Sequence, residues 1–318
     1  PPDAPETTAP AVSGEAEAIT LKVWAPQEDQ VDANSWLMQV EAQFAAAHPE
    51  YVITWDNGVC PEGDAKTLIT ADPAAGADVY MYANDHLGGL IQAGAVAKLG
   101  GPFLEQVKAD NNETFVGTVT YADGEVYGFP VAPNTWFMFY NKAIVGDADI
   151  TSLESILEKG IVAFDVANSW NMPAFFFGAG CTLTYSTDDN GNIVAMDCNY
   201  ASAEGVKALK AMINLAKSPA FVNGSSASNA TNLGAIVTGT WESANLQTML
   251  GENYAAVKLP TVDGYQLGGF GGFKMLGVKP QTDEAKLAAC DALALYLTSG
   301  EVQAARYDAV GWGPSNLE

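Results

Sequence analysis

A chain of 318 residues is long enough for two domains of ordinary size, each with its own core. It carries 14 basic against 38 acidic residues, a net charge of −24 that repels phosphate backbones and anionic headgroups and argues against nucleic acid as a partner. Charged residues are only 16% of the chain, so much of its polarity comes from amides and hydroxyls, and no run approaches the length of an apolar membrane span.

Residues 1–18 are rich in Pro, Ala, Thr and Glu without apolar periodicity and read as a flexible linker, with none of the blocks of a signal peptide. From Ile19, ITLKVWA alternates as a strand. PQEDQVDAN is a polar loop, and SWLMQVEAQFAAAHP is a helix ending at Pro49. YVITWDNG is a second strand, and AKTLITADPAAGA brings the chain onward by a short helix. DVYMY then reads as a buried strand leading into Asn84 and Asp85, either of which can cap a helix running on through Leu87, Leu90, Ile91 and Ala95. Strands alternating with helices predict a parallel sheet covered on both faces. In such sheets ligands lie beyond the carboxyl ends of strands, which nominates Tyr82, Asn84, Asp85 and His86. An ordinary capped turn would look the same.

After Val131 the aromatic run NTWFMFYNK crosses into a second α/β unit. SLESILEKG reads as a helix, VAFDV as a strand and NSWNMPAFFFGAG as a loop entering an apolar helix. Residues 181–198 form a hairpin about an Asn-Gly turn that could bring Cys181 and Cys198 together, if the register allows. The same turn lacks the spacing of a calcium loop. ASAEGVKALKAMINLAKS is an amphipathic helix with a Ser cap, VTGTW a strand ending in a glycine turn before Trp241, and residues 286–316 supply two packed helices. Cys60 and Cys290 read as small buried apolar residues. No nucleophile elbow, zinc-protease helix, phosphate loop or C-x-x-C is present, and GGFGG at 268–272 does not open a dinucleotide-binding unit.

Four stretches carry a resemblance in order and spacing: DVYMYANDHLGGL, GEVYGFPVAPNTWFMFYNKAIV, VTGTWESANL, and AVKLPTVDG with GGFGGFKMLGVKP. Together they resemble the extracytoplasmic solute-binding proteins of carbohydrate ABC transporters, most closely the maltose and maltodextrin branch. The resemblance implies an α/β, two-lobed periplasmic-binding-protein-like fold of class II, with hinge crossings near 131–135 and 254–258. The N-terminal lobe would hold 19–132 and 256–312 and the C-terminal lobe 133–255, with 313–318 starting a return to the latter and the family's further C-terminal helices missing.

The resemblance further implies binding of an extracellular oligosaccharide, foremost maltose or maltodextrin, and its delivery to an ABC transporter. A different oligosaccharide or a peptide is the alternative, and a glycoside hydrolase a remote one, since hydrolysis needs two carboxylates at a set separation. Aromatic rings bury the apolar face of a sugar while amides and carboxylates grip its hydroxyl rim. By position in the family pattern the rings are Tyr82, Trp170 and Trp241, and Trp136 is a further candidate ligand-binding residue. The polar companions are Glu28, Asp29, Asn84, Asp85, His86, Asn134, Asn168 and Glu242. Trp170 and Trp241 each have a core reading as the alternative, and Asn134 stands where maltose-binding proteins more often place a carboxylate. No cofactor or metal is expected. The expected partners are the permease subunits of the transporter. The expected location is extracytoplasmic, as a monomer in the periplasm or on a Gram-positive surface through an N-terminal lipid anchor.

Overall fold

The computed structural model describes residues 17–188, 193–226, 232–311 and 313–316. The described residues divide into two compact units, one of those within 17–133, 188 and 272–316, the other of those within 134–187 and 193–271.

The first unit opens with β1 (Glu17–Ala25), α1 (Trp36–Ala47) and β2 (Tyr51–Val59), followed by α2 (Ala65–Ala71) and β3 (Val79–Ala83). β1 buries Ile19, Leu21, Val23 and Ala25 at period two, and it pairs in parallel with β2 over nine residues and with β3 on its other side. In β3, Val79 to Tyr82 are buried on both faces, as befits the central strand of a sheet covered on both sides. α3 (Leu87–Gln92) ends sooner than its sequence pattern predicts, because Gly94 takes a left-handed conformation and turns the chain. α4 (Gly101–Asp110), α5 (Glu113–Val119) and β4 (Phe129–Asn134) complete this passage.

In the second unit come β5 (Trp136–Asn141), α6 (Leu153–Leu157), β6 (Ile161–Phe164), α7 (Pro173–Ala179) and the hairpin β7 (Leu183–Thr187) with β8 (Ile193–Cys198). α8 (Ala203–Lys217) follows, with Ser202 Oγ accepting from Gly205 N–H as the predicted cap. β9 (Phe221–Val222), β10 (Leu233–Gly239), α9 (Ser243–Leu250), β11 (Tyr254–Val257), β12 (Thr261–Val262) and β13 (Tyr265–Gln266) come next. The sheet order is β11-β5-β10-β6-β9. Met138, Val162, Phe164, Ala235 and Val237 pack on one face, and Phe139, Ala163, Ile236 and Leu246 on the other.

β14 (Gly272–Val278) re-enters the first sheet antiparallel to β3, giving the order β2-β1-β3-β14-β4, and α10 (Glu284–Leu297) and α11 (Gly300–Val310) pack in that unit.

Several expectations are corrected. Residues 17 and 18 belong to β1 rather than a linker; residues 1–16 lie outside the described ones. The second crossing falls at 271–272 and not near 254–258, because Tyr254–Val257 bonds antiparallel to β5 in the second sheet. The following Val262 and Tyr265 flank an Asp263-Gly264 turn with positive φ at both residues, which makes β12 and β13 a tight hairpin in the same unit. Cys198 sits opposite Leu183 while Cys181 lies outside the ladder, buried where Cys198 is exposed, and all four cysteines are free thiols. The Asn190-Gly191 turn itself is outside the described residues. Ser315 and Asn316 do not start a return to the second unit: they are buried, their N–H groups donating to Gln303 Oε1 at 2.7 and 3.1 Å, while Trp312, Leu317 and Glu318 lie outside the described residues.

Candidate functional site

In the first unit, the carboxyl ends of parallel β1, β2 and β3 share one edge of the sheet, and antiparallel β14 starts there. That edge gathers the turn after β1, Glu62 after β2, the turn Asn84–His86 after β3 and Lys274, which pairs with Ala83. Glu28 is exposed at the turn Gln27–Asp29. Asp85 is open as well, its side chain 60% exposed. Neither Asn84 nor Asp85 caps a helix; the Asn84 side-chain carbonyl instead accepts Phe273 N–H at 2.9 Å and ties the turn to β14. His86 Nε2 lies 4.0 Å from Asp85 Oδ2, and its buried Nδ1 has no partner among the described residues. Burial lowers the His86 pKa against the pull of Asp85, so at neutral pH the ring is an uncharged donor and acceptor.

Two expected ligand contacts in this unit are core residues. Tyr82 is fully buried, its hydroxyl donating to the Tyr127 carbonyl at 2.9 Å. Asp29 is likewise fully buried, gripped by the Arg306 guanidinium with Nη2 to Oδ2 at 2.9 Å and Nε to Oδ1 at 3.1 Å. Burial pushes the Asp29 carboxyl upward, and the Arg306 charge opposes it. Beside them Lys274, 1% exposed, places Nζ 2.6 Å from Glu62 Oε1, and burial pulls its pKa down to about 8. Sequence reading missed Lys274, Glu62 and Arg306, since their pairing spans distant parts of the chain.

In the second unit, the end of β6, the end of β10 and the start of antiparallel β5 meet at one edge. Trp241 stands there in the short turn Thr240–Glu242 after β10, 40% exposed and outside every hydrophobic core cluster. Its ring lies flat against Gly239: a Cβ on that residue would fall 2.0 Å from Trp241 Cζ3, so only glycine admits the ring. Glu242 Oε2 accepts from Asn245 Nδ2 at 3.2 Å. Asn168 is exposed, and its side-chain carbonyl accepts Trp170 N–H at 2.8 Å, fixing the bend that aims Trp170.

Trp170 is half-buried against the second core, edge-on to Phe270 with ring centroids 4.6 Å apart. Trp136 is 4% exposed and packs on Phe164 and Phe270, so this expected contact is also a core residue. Phe270, which sequence reading passed over, is the ring on which Trp136, Trp170 and Phe177 converge; its signal was an aromatic flanked by glycine pairs. The indole N–H of Trp136, that of Trp170 and the Asn134 side-chain carbonyl are buried without partners among the described residues. Groups of this kind ask for a water or a ligand hydroxyl. Among the described residues no cluster of His, Cys, Asp or Glu could hold a metal, and no helix is long and apolar enough to cross a membrane.

The profile of the bacterial extracellular solute-binding protein family matches residues 39–318. A maltooligosaccharide ABC transporter solute-binding lipoprotein of Streptococcus pneumoniae serotype 4 is 27% identical over 271 residues, 76% of this chain and 60% of the relative. The chain thus spans about three-fifths of that relative's length. A structure determined with acarbose superposes with a TM-score of 0.85 at 35% identity, covering 94% of this chain and 80% of that one. The maltodextrin-binding protein MalE1 of L. casei BL23, solved without ligand, gives 0.79 at 27% identity with the same coverage. These likenesses give the two α/β units the two-lobed periplasmic-binding-protein-like fold. With most of its length matched to the family profile and its sheets ordered as described, the chain belongs to the bacterial extracellular solute-binding proteins.

Proposed function

We propose that this chain binds an α-glucan oligosaccharide of the maltose and maltodextrin class outside the cytoplasm and delivers it to the permease of an ABC transporter, without altering it. The observation that carries the reading is Trp241, a large ring left 40% exposed at a strand end and held flat on a glycine. An indole face so held is suited to the C–H face of a pyranose, with Glu242 beside it for the hydroxyl rim. On the first unit, Asp85, Glu28 and the neutral His86 ring are open or unpartnered polar groups along one sheet edge. The pneumococcal relative named for maltooligosaccharide and the L. casei relative named for maltodextrin support the same ligand class. The two compact units are proposed as the two lobes, the first of 17–133 and 272–316 and the second of 134–271. Anchoring by an N-terminal lipid and a monomeric state belong to the same proposal.

Titration calorimetry against maltose, longer maltodextrins, xylo-oligosaccharides and galactosides tests it, with the recovered sugar examined for cleavage. Heat confined to α-glucans and intact sugar support the reading. Cleaved products would replace it with a hydrolase, and a preference for another glycan would replace the ligand class.

A further inference from the structure

We propose that Arg306 is the positioning residue of the first ligand turn: from α11 it clamps Asp29 so that the turn after β1 is held in one conformation with Glu28 presented outward. The inference rests on the reading that this sheet edge meets the sugar. The turn is three residues long, closed by Asp29 N–H to Pro26 O at 3.2 Å and Gln30 N–H to Gln27 O at 3.1 Å. Those bonds alone would leave a short surface turn free to fray. Its fixity comes from side chains on either side of Glu28. Gln30 Nε2 donates to Ala25 O at 2.6 Å and Gly58 O at 3.0 Å, tying the turn's far side to β1 and β2. Asp29 takes both nitrogens of the Arg306 fork, at 2.9 and 3.1 Å, with the acid 0% and the arginine 2% exposed.

Arg306 is itself locked. Its guanidinium lies 5.4 Å from the ring centre of Trp36, whose indole N–H donates to Val302 O of α11 at 3.2 Å. One helical turn before Arg306, Gln303 donates to Pro130 O of β4 at 3.3 Å and accepts from Ser315 and Asn316 N–H. α11 therefore grips, on one buried polar stripe, both the turn after β1 and the strand that ends in Asn134.

A buried ion pair gives little net stability over apolar residues of the same volume, but it imposes a geometry that apolar packing does not. The bidentate fork fixes distance and plane together, which a lysine cannot reproduce. A turn already ordered before binding spares the ligand the ordering cost, which raises affinity without adding a contact.

The test measures maltotetraose affinity by calorimetry, thermal melting, and amide hydrogen exchange of residues 27–30 for the parent, Arg306→Lys, Asp29→Asn, Glu28→Ala and the Glu28→Ala/Arg306→Lys double variant. Arg306→Lys is expected to raise the dissociation constant at least tenfold, to speed exchange at residues 27–30, and to melt within about 5 °C of the parent. Because the clamp acts through Glu28, Arg306→Lys should add little to the loss already caused by Glu28→Ala. Parent-like affinity in a folded Arg306→Lys, or fully additive losses in the double variant, would overturn the proposal. Unchanged exchange at 27–30 overturns the clamp itself, whereas a parent that binds no α-glucan overturns the functional reading and the ligand half of this proposal with it.

Discussion

Removing the Trp241 ring separates a binding platform from a core residue in one variant. The indole is 40% exposed, so of the roughly 250 Å² that a Trp can bury, about 100 Å² remains for a sugar face. At about 25 cal/mol per Å² that is roughly 2.5 kcal/mol as an upper bound. Allowing about 2 kcal/mol, Trp241→Ala should weaken maltodextrin binding about thirtyfold. The stability cost should fall well below the about 3–5 kcal/mol of a fully buried Trp, because the ring belongs to no core cluster. Gly239→Ala reaches the same end without touching the indole. Residue 239 has ordinary extended torsions, φ −99° and ψ −179°, and the three atoms nearest to an added methyl all belong to the Trp241 ring, the first at 2.0 Å. The ring must swing off its seat, and affinity should fall by a similar factor while the fold persists. Calorimetric affinity and melting temperature for both variants form the assay. A Trp241→Ala protein that melts far earlier yet binds as the parent would refute the argument, as would a Gly239→Ala protein with unchanged affinity.

Further outcomes follow from the buried polar groups. Burial raises the Glu41 carboxyl to about 7 while a hydrogen bond from Asn57 Nδ2 opposes the rise. A raised acid binds its proton more readily in the folded chain, so its contribution is full below about pH 4.5 and lost as pH climbs through 7; the melting temperature of the parent should fall across that window, and Glu41→Gln should flatten the fall. Discounted for solvent screening, the effect is about 2 kcal/mol or less. Lys274→Met leaves Glu62, its side chain 18% exposed, without its 2.6 Å partner and should cost about 1–3 kcal/mol in denaturant unfolding; a loss under 1 kcal/mol would show the pair to be dispensable. Among the cysteines Cys198 is exposed and the other three are buried, so iodoacetamide should modify Cys198 under native conditions and all four only after unfolding; protection of Cys198 would contradict the open hairpin register.

The alternating strands, the β10 glycine turn and the Ser202 cap were legible because each is written in local periodicity and turn chemistry. The edge bearing Asn84, Asp85 and His86 was legible for the same reason. Position at a strand end does not say which way a side chain points, however, and that is why Tyr82, Asp29 and Trp136 were read as ligand groups while their side chains enter the core. The Asp263-Gly264 hairpin was present in the sequence as an Asp-Gly pair between β-formers and went unread, which moved the expected return to the first sheet about fifteen residues too early. Arg306 with Asp29 and Lys274 with Glu62 leave no local trace, since the partners of each pair are joined only by the closed sheet and the packing of α11.

The most direct test of the central claim is a crystal structure of the chain with maltotetraose bound. The account predicts a glucose ring stacked on the exposed face of Trp241, its hydroxyls within hydrogen-bond distance of Glu242. A tetrasaccharide bound elsewhere with Trp241 left to solvent, or none bound at saturating sugar, would contradict it.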